Sequence, residues 1–571
     1  MSIKLRTLAA RNFATALPTA KSAASNLVAW AAEYAPIIGR GAVRRRKRVV
    51  IGPYTRSRSL LSTLIWLVAV PVGLLLCLFY GFFFGMTAPY LIVPAVIPIA
   101  LMTGIIIWAL PDQRTAPTFP IEFLIAIFFV SKVVWPSYLA ISLPGLPWIS
   151  LLRIIGLPLA GFFLVSLSVS KEFRIYTYQS VTSIKLLWIC AVGFSVIQIL
   201  TIFASKSPLA SAQVVFDQNI NFTMMLFIGC IIFRKERMAE KYIALFCLLS
   251  VFIIALTVVE NHKKYIIWAA HIPNILHPPS PTLENTLRPS FRMYTNVYRA
   301  KATFLTPLAL AEFISLITPF FLYFGLSRGK FFLRAICLAM VPMTFIAVRM
   351  TDARLGVVGV FASVLMYGLL WSFARWRARP RDLFAAATVY AYPVVFLAAV
   401  GAILASTRLS TMVFGGGAHA GSTEARATQL GMAAKGFWRQ PWGHGAGQSG
   451  LEMGFAKDAF ITIDNFFISV QLDYGLFGII FWYGMFVVGI AAALFHSLLD
   501  RYADRPEARL LAPLAVSLTG FLIVKWVHGQ DENHSIYFLM LGMISGLVYR
   551  LRHNAPSVPD SGTATSVRNS D

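Results

Sequence analysis

The sequence predicts an all-α fold: a polytopic transmembrane helix bundle of about 12–14 spans, with a large loop carrying short helices on one side. Three observations predict it. The 571 residues are 57% hydrophobic and 13% charged, where a soluble chain carries about a quarter charged residues. Apolar runs near the roughly 20 residues that a helix needs to cross a bilayer recur along most of the chain. The in-out alternation of a membrane barrel strand is missing from those runs. Fifty Lys and Arg against 24 Asp and Glu give 50 − 24 = +26. In a chain this apolar, that charge does not mark a nucleic-acid binder, and collagenous, disordered, disulfide-stapled and ordinary cytosolic classes are excluded.

The elements follow in order. Residues 1–58 are too long and polar for the apolar stretch of a signal peptide. Their cluster Arg44-Arg45-Arg46-Lys47-Arg48 predicts a basic segment held in the cytoplasm, with an amphipathic helix around Leu27–Tyr34 on the lipid surface. The membrane domain covers 59–550, with spans near 59–84, 88–110, 121–141, 148–168, 183–203, 215–233, 241–259, 303–326, 331–349, 355–373, 383–405, 475–496, 509–527 and 534–549. Alternating sides from the basic N-terminus places Arg234-Lys235-Glu236-Arg237, the run Arg375 to Arg381, and Arg550 with Arg552 inside. Loops near 85–88, 142–147 and 528–534, which hold no Lys or Arg, fall outside. The charge bias follows the alternation, so much of the +26 is a topology signal with added attraction for anionic lipid. The tail 551–571 predicts a disordered cytoplasmic end. Cys77, Cys190, Cys230, Cys247 and Cys337 all lie in apolar runs without a CxxC pair, as small core residues do.

Two loops, near 260–302 and 406–474, break the rhythm, and both are expected on the periplasmic face. Loops this long are where binding and catalysis concentrate. The second opens with Gly415-Gly416-Gly417, and Ser422 or Thr423 then starts an amphipathic helix ending before Pro441. Pro441-Trp442-Gly443-His444-Gly445-Ala446-Gly447 is a tight backbone that a ligand could approach closely, or simply a flexible turn. The chain re-enters at Asp464-Asn465-Phe466, where a carboxylate beside an apolar segment needs a partner or a wet cavity, unless it caps a helix. Asp473 reads as a loop or cap residue. Arg299, Lys301, Arg354 and Arg426 stand on the same side, where the charge bias makes basic residues unexpected. Arginine forks match phosphate oxygens, and lysine adds a point charge. Glu312 is expected to be a buried partner for one of these cations. His528, Asp531, Glu532 and His534 fit no metal-ligand spacing and read as a solvated turn.

Arg299-Ala300-x-Ala302-Thr303-Phe304, Pro307, Leu310-Ala311-Glu312, Thr351-x-Ala353-Arg354, Arg426, the glycine run from 443, Asp464-Asn465 and Asp473-x-Gly475-Leu476-x-Gly478 come in this order. Over roughly 299–545 they resemble the superfamily of O-antigen ligases and Wzy-type polysaccharide polymerases. The resemblance implies a GT-C-like, metal-independent glycosyltransferase of the bacterial inner membrane, without a cofactor and with both termini cytoplasmic. Its donor would be a glycan on undecaprenyl pyrophosphate. Membrane lipids and proteins for chain-length control and export would be its partners. An acceptor hydroxyl attacks the anomeric carbon while lipid pyrophosphate leaves, so Arg354, Arg299, Lys301 and Arg426 are the expected pyrophosphate cations. Asp464 is the expected base, His444 its rival, and Gly443, Gly445 and Asn465 lie beside them on the substrate side. Ligases of the superfamily resemble His-Asn at the re-entry, whereas this chain has Asp464-Asn465. The difference favours a polymerase of lipid-linked repeat units over a ligase.

A flippase or transporter is the competing reading, since Lys132, Arg153, Lys185 and Glu312 could line a substrate pathway. The halves show no paired repeat of the kind transporters carry. A scaffold for an envelope complex would explain the basic N-terminus but not the external arginines.

Overall fold

The computed structural model describes residues 67–68, 71–72, 75, 79, 101–111, 116–141, 149–276, 281–292, 296–327, 329–407, 410, 420–454, 463, 465–503 and 505–553. The chain divides into the units Met1–Thr87 and Ala88–Asp571, and every site below lies in the second. The expected N-terminal segment, the spans near 59–84 and 88–110 in large part, the tail beyond His553, and Asp464 lie outside the described residues, while residues 551–553, expected in the tail, close the last helix.

The second unit is helical. It runs α1 Thr118–Val134, a two-strand antiparallel hairpin of β1 Ala140–Ile141 and β2 Ile149–Ser150, then α2 Leu151–Val169, α3 Lys171–Val181 and α4 Lys185–Ile202. α5 Pro208–Gln218 passes through a π-helical turn, Asn219–Thr223, into α6 Met224–Ile232, and α7 Met238–Lys263 follows. After the short α8 Pro281–Leu287 come α9 Pro307–Leu326, α10 Phe331–Met350, α11 Arg354–Ala378 and α12 Leu383–Ala405. The long loop holds α13 Ala420–Arg439 and α14 Ser449–Glu452, and the chain finishes with α15 Phe466–Leu498, α16 Pro506–Lys525 and α17 His534–His553. Among the described residues, ten helices are long and apolar enough to cross a membrane. With the 23-residue apolar α12, they make a polytopic all-α bundle.

Two spans, α9 and α17, are the most enclosed, and α10 and α11 turn more of their surface outward. Close approach makes the centre possible. A Cβ on Gly542 of α17 would stand 2.3 Å from the Leu226 carbonyl of α6, and one on Gly229 would stand 2.9 Å from the Leu539 carbonyl. Small residues at a helix crossing bring backbones together where lipid supplies no hydrophobic drive.

Charge partitions between the two ends of the bundle. At the end opposite the long loops, Arg377 meets Asp500 at 2.5 Å, Arg375 meets Asp382 at 2.6 Å and Arg550 meets Glu507 at 2.7 Å. Arg234 lies 3.8 Å from the ring centres of Tyr176 and Tyr549.

One expected boundary moves. The span placed at 475–496 begins at Phe466, and a break at Gly475 (φ 65°, ψ −159°) divides α15 into two helical parts. Gln471-Leu472-Asp473-Tyr474 reads as loop from its polar residues, yet Leu472 and Asp473 are buried in the first part.

Candidate functional site

The segment 299–306 is stitched to its neighbours at the long-loop end. Arg299 N donates to Ser290 O at 2.8 Å, beside an antiparallel bridge between Phe291 and Tyr298. Ala300 N donates to Met350 O at 3.0 Å. Lys301 N and Ala302 N donate to the two oxygens of Glu260, at 3.1 and 2.7 Å, and Tyr298 Oη adds a third bond at 2.8 Å. Thr303 Oγ1 reaches Val133 O at 2.9 Å, Leu305 N reaches Glu532 at 3.1 Å, and Thr306 Oγ1 reaches Gln530 Oε1 at 2.8 Å. Thr306 also caps α9 by accepting from Ala309 N at 3.3 Å. Sequence reading missed Glu260, although a carboxylate in the last turn of an apolar helix needs such donors.

Ala302 (φ 47°) and Asp352 (φ 49°) both adopt the left-handed region that residues with a Cβ avoid. Each costs about 1 kcal/mol or more and persists because its surroundings fix it. Glu260 holds Ala302. Asp352 is held by Arg292, Nη1 to Oδ2 at 2.6 Å.

Around Asp352 the expected arginines converge. Arg354 opens α11 within electrostatic reach of Arg292, Arg426 and Asp352, and Arg299 is within reach of Arg292 and Asp352. Burial, then the charge of Arg292, lowers the proton affinity of Arg299, and Asp352 opposes them. Its Nε donates to Thr351 O at 3.3 Å, which turns the guanidinium toward the α10–α11 turn. Arg292, an unpatterned loop residue that sequence reading did not single out, thus lies within reach of both Arg299 and Arg354, and Arg426 within reach of Arg354.

Lys301 points elsewhere. It is buried, and its Nζ donates to Thr286 O, bracing α8. Burial lowers the ammonium pKa to about 8, with Glu260 pulling it back up.

The glycine run packs on the protein's own backbone. His444 N donates to Leu472 O and Gly445 N to Asp473 O, both at 2.9 Å, and Leu476 N returns a bond to Pro441 O at 2.9 Å. A Cβ on Gly443 (φ 102°) would meet Asp473 O at 2.5 Å, and one on Gly475 would meet Pro441 O at 2.2 Å, so glycine is required at both. The Asp473 carboxylate accepts from Gly447 N at 3.0 Å and Ser449 N at 2.7 Å. It is an anchor for this loop. His444 lies under the loop with Nδ1 3.0 Å from Leu472 O and Nε2 3.5 Å from Glu452. Burial works against the Glu452 charge, but Lys206, His444 and Arg439 outweigh it and hold that carboxyl below its ordinary range. Asn465 caps α15, accepting from Phe467 N at 2.9 Å.

A second polar cluster sits beside the first. Glu312 of α9 pairs with Lys525 of α16 at 3.2 Å, accepts from Asn533 Nδ2 at 3.1 Å and lies 3.4 Å from His528 Nε2. Lys525 Nζ also donates to Gln530 O. The partner of Glu312 is therefore a lysine of α16 rather than one of the external arginines. His528 and His534 are buried, against the expectation of a solvated turn. The turn 526–533 folds inward because Glu312, the Leu305 amide and the Thr306 hydroxyl supply partners that solvent would otherwise supply.

Residues 335–483 match the family model Wzy_C, described as O-antigen ligase. The match bears out the resemblance read from the sequence. It covers α11, the long loop and the start of α15, and so contains Arg354, Arg426 and the docked glycine run. No curated protein matches the chain. The chain is thus a multi-pass membrane protein with a segment of the O-antigen ligase type.

Proposed function

We propose that this protein polymerises lipid-linked oligosaccharide repeat units, with glycosyl transfer at the periplasmic face of a bacterial inner membrane and both termini in the cytoplasm. The observation that carries the proposal is that Arg292, Arg299 and Arg354 lie within electrostatic reach of Asp352, with Arg426 within reach of Arg354, at the end where the long loops gather. An undecaprenyl pyrophosphate leaving group gains negative charge as the glycosidic bond breaks. Guanidinium groups already in place stabilise that charge without reorganising, and each is worth about 3 kcal/mol in a water-poor site. Arg354 opens α11 and is the central cation, with Arg299 and Arg426 flanking it. Lys301 supports the segment that holds Arg299.

The acceptor hydroxyl loses its proton to a base as it attacks. Asp464 takes that role, one residue before the Asn465 cap in the sequence. His444 is the weaker choice, because both its ring nitrogens already face protein groups. Chain-length and export proteins would act on the growing polymer.

The test is a deletion strain carrying wild type, Arg354→Ala or Asp464→Asn, with lipid-linked and surface glycans resolved by size. Single repeat units without long polymer in the variants support the polymerase. Full-length polymer retained on its lipid carrier would show a ligase. Repeat units trapped on the cytoplasmic side would show a transporter.

A further inference from the structure

Polar side chains collect in one recess where no sequence motif had marked a site. Asp217 and the following residues through Phe222 lie in the Pro208–Ile232 span, and all six are half-exposed. Charged and amide side chains in a span do not face hydrocarbon and need a wet cavity or polar partners. Arg153 of α2 meets Asp217 at 3.2 Å. Gly156, one turn further along α2, faces the Asn221 amide, whose Oδ1 would stand 3.8 Å from a Cβ there. Asp531 is exposed and lies within electrostatic reach of both Asp217 and Lys132.

The recess is braced from behind. Gln218 Oε1 accepts from Tyr474 Oη and from Gln198 Nε2, both at 2.6 Å, and Asn219 Nδ2 donates to Gln198 Oε1 at 3.0 Å. The π-helical turn Asn219–Thr223 widens the helix here, a deformation that recurs at functional sites. Behind Phe222, His534 is buried among the rings of Phe222, Phe466, Trp482 and Phe521, with centres 4.6 to 5.7 Å away. Neither of its ring nitrogens has a hydrogen-bond partner among the described residues, and an unsatisfied buried polar group in a native structure calls for a ligand, water or function.

We propose that this recess, with Asp217, Asp531, Lys132 and Asn221 at its rim, is a subsite for a hydroxyl-rich glycan. The inference rests on the transferase reading above and adds where the sugar chain lies. Carboxylates accept from hydroxyl groups, while an ammonium and an amide donate to them, so the rim matches both faces of a sugar hydroxyl. The segment 299–306 joins the recess to the arginine cluster, with Arg299 on Thr351 at one end and Leu305 on Glu532 at the other. Six residues of chain span at most about 20 Å, which is the reach of a short oligosaccharide running from a pyrophosphate at the arginines.

The test uses purified full-length protein and the carrier-free oligosaccharide released by mild acid from the deletion strain's lipid-linked repeat units. Saturation-transfer NMR should show binding to wild type and to Arg354→Ala, and at least a tenfold loss with Asp217→Asn combined with Asp531→Asn. As a second measurement, Asn221→Cys should react with a water-soluble maleimide and be protected by the same oligosaccharide. Full binding by the Asp217→Asn/Asp531→Asn protein, or labelling of Asn221→Cys without protection, would overturn the subsite. A wild type that binds neither this oligosaccharide nor undecaprenyl pyrophosphate would overturn the transferase reading as well. Retained binding of undecaprenyl pyrophosphate confines the failure to the recess.

Discussion

Two polar clusters lie at the same end of the bundle, and they handle charge in opposite ways. Around Glu312, charge is balanced and sealed: Lys525 and the carboxylate it pairs with are both fully buried, and Asn533 and the Gln530 carbonyl add hydrogen bonds. Around Asp352, Arg292 forms the ion pair, and Arg354 lies within electrostatic reach and remains partly exposed. Taking ions out of water costs several kcal/mol each unless a partner is in place. A sealed pair suits a scaffold, while the half-open arginines are where the proposed pyrophosphate would bind.

The sharpest way to break this contrast is to unbalance the sealed cluster. Glu312→Ala leaves Lys525 buried without its counter-ion and should cost about 3–5 kcal/mol, seen as loss of monodisperse protein in size-exclusion chromatography. Glu312→Leu with Lys525→Met should recover much of it. Failure of the double variant to recover would give this cluster a role beyond scaffolding. Next in size is Arg354→Lys, which keeps charge and loses the fork. Polymer formation should fall by on the order of a hundredfold with an unchanged thermal midpoint, a pairing of results that Glu312→Ala cannot give.

Arg292→Gln separates the clusters further, because the residue carries no motif. Losing one charge-assisted bond to phosphate should cost about tenfold in activity, measured as polymer formed at limiting donor. Activity equal to wild type would reduce Arg292 to a partner of Asp352.

A separate effect is on pH. The Lys301 ammonium pKa is lowered to about 8 in the folded protein, so between that value and its ordinary range the unfolded chain binds more protons. Stability from this residue should rise as pH climbs from 7 to 10, and the rise should vanish in Lys301→Met, read as thermal midpoints in detergent.

Most of the scaffold was legible in the sequence because hydrophobicity is a local signal. The runs at 331–349 and 383–405 correspond closely to Phe331–Met350 and Leu383–Ala405. The start of α15 was not, since Gly475 and its polar neighbours resemble a loop until Pro441 and Leu476 are seen to bond. Arg299, Arg354 and Arg426 stood out because basic residues are unexpected on that side of the membrane. Arg292 and Glu260 lacked such a signal, and their partners lie 60 and 38 residues away. The burial of His528 was least visible, since it depends on Glu312, more than two hundred residues earlier. Asp473 carries a similar lesson. A carboxylate beside a glycine run could serve a ligand, and here it holds the run's own amides.

The central claim is that the arginine cluster receives a lipid pyrophosphate. The direct measurement titrates undecaprenyl pyrophosphate and uncharged undecaprenol into wild-type protein and a variant with Arg292→Gln, Arg299→Gln and Arg354→Gln. The account predicts that wild type prefers the pyrophosphate at least tenfold, that this preference weakens with salt, and that the variant loses it at an unchanged thermal midpoint. Equal binding of both lipids by wild type, or an undiminished preference in the variant, would contradict it.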